Sequence, residues 1–283
     1  MLRELKGLFK LGRPLTSLTG GLAVLLGGYV AGTGAGAQIG LATLATFLIS
    51  MAANAWNDYL DIEIDRINQP QRPLPAGVVN PRSAWLFSLA LTLASLLIAA
   101  FINPAAFAIA LVSTILLYLY SWKFKSTILF GNFTIAAISA MSAVFGGVAA
   151  GNVRPSLWLA AVILTAIMGR EILKTLADYE GDLHHRCRTI ATAWGRRPAR
   201  IIFFLLAAVT IVMMMMPYHF GGYRPIYALV VVVGVYPVLL YVLLRLTRYR
   251  TGPQLERLSQ LMKYDFLVWF TAVLLGAQSA THF

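Results

Sequence analysis

Nine stretches of this chain are each apolar and long enough to cross a lipid bilayer, and they follow one another from residue 15 to residue 281. A helical span needs about 20 mostly apolar residues, because in lipid the backbone must satisfy its own hydrogen bonds. The stretches are 15–33, 37–57, 83–102, 104–121, 128–151, 156–178, 199–217, 225–246 and 263–281. They predict an all-α polytopic membrane bundle forming a single domain over residues 1–283. Composition agrees. Of 283 residues, 59% are hydrophobic and only 12% charged, against roughly 25% charged in soluble domains. That excludes an ordinary soluble domain, a disordered chain, a collagen and a disulfide scaffold. With Cys187 as the single cysteine, neither an intrachain disulfide nor a cysteine metal cluster can form. The first apolar run lacks a small-residue cleavage site, so no cleaved signal peptide is expected.

Charge orders the spans. Lys and Arg number 23 against 11 Asp and Glu, a net charge of +12. All the basic residues except Arg154 and Arg224 fall on one side, with the N-terminus and the gaps after spans 2, 4, 6 and 8. The positive-inside rule puts that side, and the N-terminus, in the cytoplasm and the C-terminus outside, with the cell membrane as the location. The basic residues lie in short gaps between apolar runs. This fits membrane lipids as partners rather than nucleic acid. The 11 carboxylates also fall on the cytoplasmic side, Asp265 being placed at the start of span 9. Ionisable groups at a membrane are costly and usually functional. The segments 57–77 and 170–190, rich in these groups, are therefore the candidate active-site segments.

The first segment reads NDYLDIEIDRINQPQRPLPAG. No helix breaker appears before Asn68–Pro70, so span 2 is expected to continue through it. At about 100° per residue, with Asn57 at zero, Asp61 falls near 40°, Asp65 near 80° and Asp58 near 100°. Unpaired carboxylates crowded on one face repel one another. A hard divalent cation relieves that repulsion, and Mg²⁺ favours one or two carboxylates with waters and substrate phosphates. Asn57, Asp58, Asp61 and Asp65 are the candidate ligands of one Mg²⁺.

The second segment contains REILKTLADYEGD. Asp178 and Asp182 share a face, with Lys174 one turn back, and are the candidate ligands of a second Mg²⁺. Cations flank both segments: Arg72, Lys123 and Lys125 after span 4, Arg170 and Lys174. Two acidic clusters with several cations describe a diphosphate site, and a neutralised diphosphate is a good leaving group. Asp61, Asp65, Asp178, Asp182 and Lys125 are the candidate catalytic residues. Arg72, Lys123, Lys125, Arg170, Lys174 and Tyr120, at the end of span 4, are candidates for diphosphate contact. His184 and His185 read as loop residues. A cation-coupled transporter is the alternative of another class. It usually carries charge near the bilayer midplane on broken helices, whereas these carboxylates fall at span ends.

At these residues the chain resembles the UbiA superfamily of intramembrane prenyltransferases, over essentially its whole length. Asn57, Asp58, Asp61 and Asp65 match that family's N-D-x-x-D-x-x-x-D motif, and RINQPQRPLPAG and YSWKFKSTILFGN are similar to its flanking segments. Within the superfamily the wording is most similar to the digeranylgeranylglyceryl phosphate synthases. The resemblance implies Mg²⁺-dependent transfer of a geranylgeranyl group from a prenyl diphosphate donor to geranylgeranylglyceryl phosphate. Thr175 departs from a second motif that often has Asp there, and the segment after Asp182 also differs. Aromatic and chlorophyll-type acceptors stay open.

Overall fold

The computed structural model describes residues 2–184, 187–249 and 251–277. His185, Arg186 and residues 278–281 of the expected ninth span lie outside the described residues. Among those described, nine spans are long and apolar enough to cross a membrane, and none of the described residues is in a strand.

A first helix, α1 (Leu2–Leu11), precedes them. The spans are α2 (Pro14–Ala31), α3 (Gly36–Leu60), α5 (Pro81–Ile102), α6 (Pro104–Trp122), α7 (Phe130–Ala149) and α8 (Arg154–Ala177). Then come α11 (Arg196–Phe220), the pair α12 (Pro225–Val230) and α13 (Tyr236–Arg248) joined by one π-helical turn, and α14 (Gly252–Gly276). Short helices α4 (Ile62–Asn68), α9 (Tyr179–His184) and α10 (Ile190–Trp194) lie in the connections. Proline opens many spans: Pro14, Pro81, Pro104 and Pro225 head α2, α5, α6 and α12. At that position its missing N–H has no helical partner to lose. Asn80 and Asn103 cap their helices by accepting from the Arg82 and Ala106 amides at 2.9 and 2.8 Å.

Eight spans lie within a few residues of the sequence expectation. The ninth does not. It starts at Gly252, so Lys263 and Asp265 sit within the helix rather than at its start. The cause is a capping box between Thr251 and Gln254, followed by buried Leu255, Leu258 and Met262. This amphipathic lead-in is too polar to read as membrane-spanning.

Consecutive spans pack side by side, and α14 returns to α2, closing the bundle. α2 and α8 are half buried, while α5 and α6 are 22% buried and turn most of their surface outward. α2 crosses α7 closely. A Cβ on Gly146 would stand 2.0 Å from the Val24 carbonyl oxygen, and one on Gly27 the same 2.0 Å from that of Ala143. Only glycine permits this approach.

The connections differ by side. Those opposite α1 are short, and Asn103 alone joins α5 to α6. Those on the α1 side hold α4, a 3₁₀ turn at Phe124–Ser126, α9 and α10. The candidate residues are therefore gathered on the side with room for them.

Candidate active site

The first motif straddles a joint. α3 stops at Leu60, and Asp61 (φ −94°, ψ 9°) links it to α4. This corrects the expectation of an unbroken helix. The Asp61 and Asp65 amides still reach back to the Asn57 and Asp61 carbonyls, at 3.0 and 2.8 Å, so the helical rotation is nearly preserved. The second motif repeats the pattern. α8 stops at Ala177, Asp178 (φ −85°, ψ 3°) links it to α9, and the Asp182 amide reaches the Asp178 carbonyl at 2.8 Å.

The first motif is held by cations. Asn57 Nδ2 donates to Asp61 Oδ2 at 3.2 Å, and Lys125 Nζ donates to the other Asp61 oxygen. Arg72 Nη1 binds Asp65 Oδ2 at 2.6 Å and lies 3.5 Å from Asp58 Oδ1. Arg13 Nη2 also binds Asp58. The Asp58 and Asp65 side chains are 4% and 7% exposed, and that of Asp61 is 16% exposed. Arg13, Arg72 and Lys125 thus relieve the repulsion among the three carboxylates without a metal. No group of three or more His, Cys, Asp or Glu side chains among the described residues stands ready to hold an ion. The donors still suit Mg²⁺, since Asn57 and Asp61 offer adjacent hard oxygens and this ion needs only one or two carboxylates.

In the second motif Glu171 is buried between two cations, Lys174 Nζ at 3.2 Å and Arg170 Nη1 at 3.6 Å. Arg170 Nε also donates to the Ser259 carbonyl of α14 at 3.3 Å. Thr175 is buried and donates to the Ile172 carbonyl at 2.8 Å, turning its hydroxyl onto its own helix. Asp178 is reached by solvent, yet the protein around it strips part of its hydration and raises its carboxyl above the ordinary range. Lys174 opposes that shift, while Glu256 and Glu171 add to it.

The two motifs face a common space. Cys187, beyond the second motif, feels both Asp182 and Lys125; burial and Asp182 push its thiol up, and Lys125 pulls it down. Tyr120 lies within electrostatic reach of both Asp61 and Glu171. Asn57, Asp61 and Lys125 are thus brought together, as are Arg72, Asp58 and Asp65. Lys123 is exposed, and its side chain makes no ion pair or hydrogen bond among the described residues.

A cavity of about 390 Å³ lies within α2, α3, α5, α6, α7, α8 and α14, with Asn54 of α3, about one turn before Asn57, in its wall. Its walls are mostly apolar or small, with Ile163, Ile167, Phe266 and Phe270 among them, and its charged lining residues are Arg170, Glu171 and Lys263. Thr16 and Thr19 of α2 and Lys263 and Leu267 of α14 line it while remaining exposed, so it opens between those helices. Farther along, Tyr29 Oη of α2 donates to the Leu274 carbonyl of α14 at 3.1 Å, and the gap is closed there.

Neither Arg13 nor Lys263 is among the candidate residues named from the sequence. Each had a visible signal: Arg13 stands between Gly12 and Pro14, where a helix must break, and Lys263 next to an apolar run.

The UbiA prenyltransferase family matches residues 15–271. The digeranylgeranylglyceryl phosphate synthase of Thermococcus gammatolerans is 33% identical over 276 residues, covering 97% of this chain and 99% of that protein. The synthase of the same name from Methanopyrus kandleri is 36% identical over 191 residues, covering 68% and 70%. A solved structure of digeranylgeranylglyceryl phosphate synthase in membranes superimposes with a TM-score of 0.83 at 28% identity, covering 98% of this chain and 99% of that one. A UbiA homolog from Archaeoglobus fulgidus bound to GPP and Mg²⁺ shares the fold, with a TM-score of 0.65 at 19% identity over 95% and 99% of the two chains. With its motifs, its apolar cavity and these relatives together, the chain belongs to the UbiA prenyltransferase family and is an integral membrane prenyltransferase.

Proposed function

We propose that this enzyme transfers a geranylgeranyl group from its diphosphate to the free hydroxyl of geranylgeranylglyceryl phosphate, at the cytoplasmic face of the cell membrane. The observation that carries this reading is the gathering of Asn57, Asp61 and Lys125 about one helical turn beyond Asn54, which lines a mostly apolar cavity. The names of the relatives favour this acceptor. The net distribution of Lys and Arg favours the cytoplasmic side.

Asn57, Asp61 and Asp65 would hold one Mg²⁺, with Asp58 supplementing or orienting them, and Asp178 with Asp182 a second. Bound there, Mg²⁺ supplies charge neutralisation to the diphosphate. Lys125 and Arg72 exchange their carboxylates for phosphate oxygens, and Lys174 approaches from the second motif. Lys123 and Tyr120 are the further candidates for diphosphate contact.

The allylic C–O bond breaks and its electron pair leaves with the diphosphate. The acceptor's hydroxyl oxygen attacks the allylic carbon, and its proton passes to the released diphosphate. The products are an ether and diphosphate, and every atom is accounted for. Isoleucine and phenylalanine walls keep water from capturing the allylic carbon first.

The test is competition at equal concentrations among geranylgeranylglyceryl phosphate, homogentisate, 4-hydroxybenzoate and a chlorophyllide, with geranylgeranyl diphosphate as donor. Mass spectrometry should find the ether lipid dominant. A dominant aromatic or chlorophyllide product overturns the acceptor assignment and leaves prenyl transfer standing.

A further inference from the structure

The cavity wall carries a charge that no described residue neutralises. Of its three charged lining residues, Glu171 is held by Lys174 at 3.2 Å and by Arg170 at 3.6 Å. Lys263 makes no ion pair or hydrogen bond through its ammonium among the described residues. The nearby carboxylate in its own helix, Asp265, is no counter-ion. It lines a separate small cavity with Gly169, Ala207, Thr210 and Leu239. Lys263 is exposed at the mouth of a mostly apolar cavity, so its ammonium is open to an incoming anion.

Arg170 marks where that anion belongs. Its Nε donates to the Ser259 carbonyl at 3.3 Å, and Ser259 and Lys263 are four residues apart on α14. One turn of helix, about 6 Å of rise, separates them on a shared face. Arg170 and Lys263 therefore flank one stretch of the cavity wall from two different helices. The cations of the first motif lie elsewhere: Lys125 and Arg72 sit on Asp61 and Asp65, where the donor's diphosphate is expected. A phosphorylated acceptor brings a second anion and needs a second cationic contact. Lys263 also borders the opening between α2 and α14, the route by which a lipid would reach the cavity.

We infer that Lys263, with Arg170 beside it, binds the phosphate of a phosphorylated lipid acceptor and so selects it over its uncharged counterpart. This rests on the acceptor reading given above. Loss of one charge-assisted contact corresponds to about a tenfold or larger weakening of binding.

The experiment compares wild type, Lys263→Gln and Lys263→Arg with geranylgeranyl diphosphate as donor. The acceptors are geranylgeranylglyceryl phosphate and geranylgeranylglycerol, which lacks the phosphate. Lys263→Gln should raise KM for the phosphorylated acceptor about tenfold or more. KM for the donor, and turnover with geranylgeranylglycerol, should stay within about twofold of wild type. Lys263→Arg should recover most of the loss. An unchanged KM for the phosphorylated acceptor, or an equal effect on both acceptors or on the donor, overturns the phosphate site while the acceptor reading stands. A wild type that transfers to neither glyceryl acceptor overturns both.

Discussion

Lys125, on the turn after α6, donates its ammonium to Asp61 at the end of α3, a contact between residues 64 positions apart. It joins a candidate phosphate-binding cation to a candidate metal-binding carboxylate before either meets its ligand. Removing either partner strands the other. Asp61→Ala should lower turnover by about 10²–10³-fold, and Lys125→Ala should chiefly raise KM for the prenyl diphosphate. Both proteins should remain folded by size-exclusion chromatography. Near-normal turnover in Asp61→Ala would remove it from the metal site.

Chelation should abolish prenyl transfer, and Mg²⁺ should restore it better than soft metals, because all the candidate donors are hard oxygens. Diphosphate release from geranylgeranyl diphosphate is the readout. Full release in excess chelator would contradict the metal assignment.

Asp178 holds its proton above the ordinary carboxylate range, first because the surrounding protein strips its hydration. A ligand carboxylate must lose that proton to bind metal. Mg²⁺ affinity should therefore weaken as pH falls, beginning at a higher pH than for an ordinary aspartate. Lys174→Ala, which removes the group pulling the shift down, should move the onset higher still. For stability the sign is opposite. The native state holds this proton more tightly than the unfolded chain, so Asp178 costs stability as pH rises from the ordinary range through its raised value. Mg²⁺ titrations of both proteins across pH check the first statement.

Thr175 stands where the second motif of the resembling family often has an aspartate. Its hydroxyl instead donates to the Ile172 carbonyl from a buried position. Thr175→Asp should therefore bury an unpaired carboxylate and lower thermal stability and activity, while Thr175→Ser should be near neutral. A gain of activity in Thr175→Asp would show that this face turns toward the ligands.

Gly146 admits the α2–α7 crossing. Gly146→Leu places side-chain atoms against the Val24 carbonyl and should destabilise by about 1–3 kcal/mol or more. A melting temperature equal to wild type would mean that the two helices separate freely.

Much of this fold is legible in sequence because lipid imposes a length and polarity on each span. The Asn103 hairpin between α5 and α6, and the prolines that open spans, follow from the same pattern. The start of α14 was hidden because hydropathy reports burial in lipid, and residues 252–262 bury only one stripe. The breaks at Asp61 and Asp178 were hidden because no glycine or proline marks them. The motif spacing did locate Asn57, Asp61 and Lys125 on one side of the bundle. It could not show that Arg13 and Arg72 already neutralise Asp58 and Asp65, since that pairing depends on how α1 and residues 69–80 fold back.

The opening between α2 and α14 changes how substrate concentration must be counted. Its rim residues, Thr16, Thr19, Lys263 and Leu267, are exposed at the flank of the bundle, which offers a long isoprenoid a path from bilayer to cavity without crossing bulk water. The quantity that sets occupancy is then the number of substrate molecules per lipid, not per litre. Enlarging the bilayer or micelle pool at constant total substrate should slow the reaction by surface dilution, and diluting the whole suspension with buffer should leave it nearly unchanged.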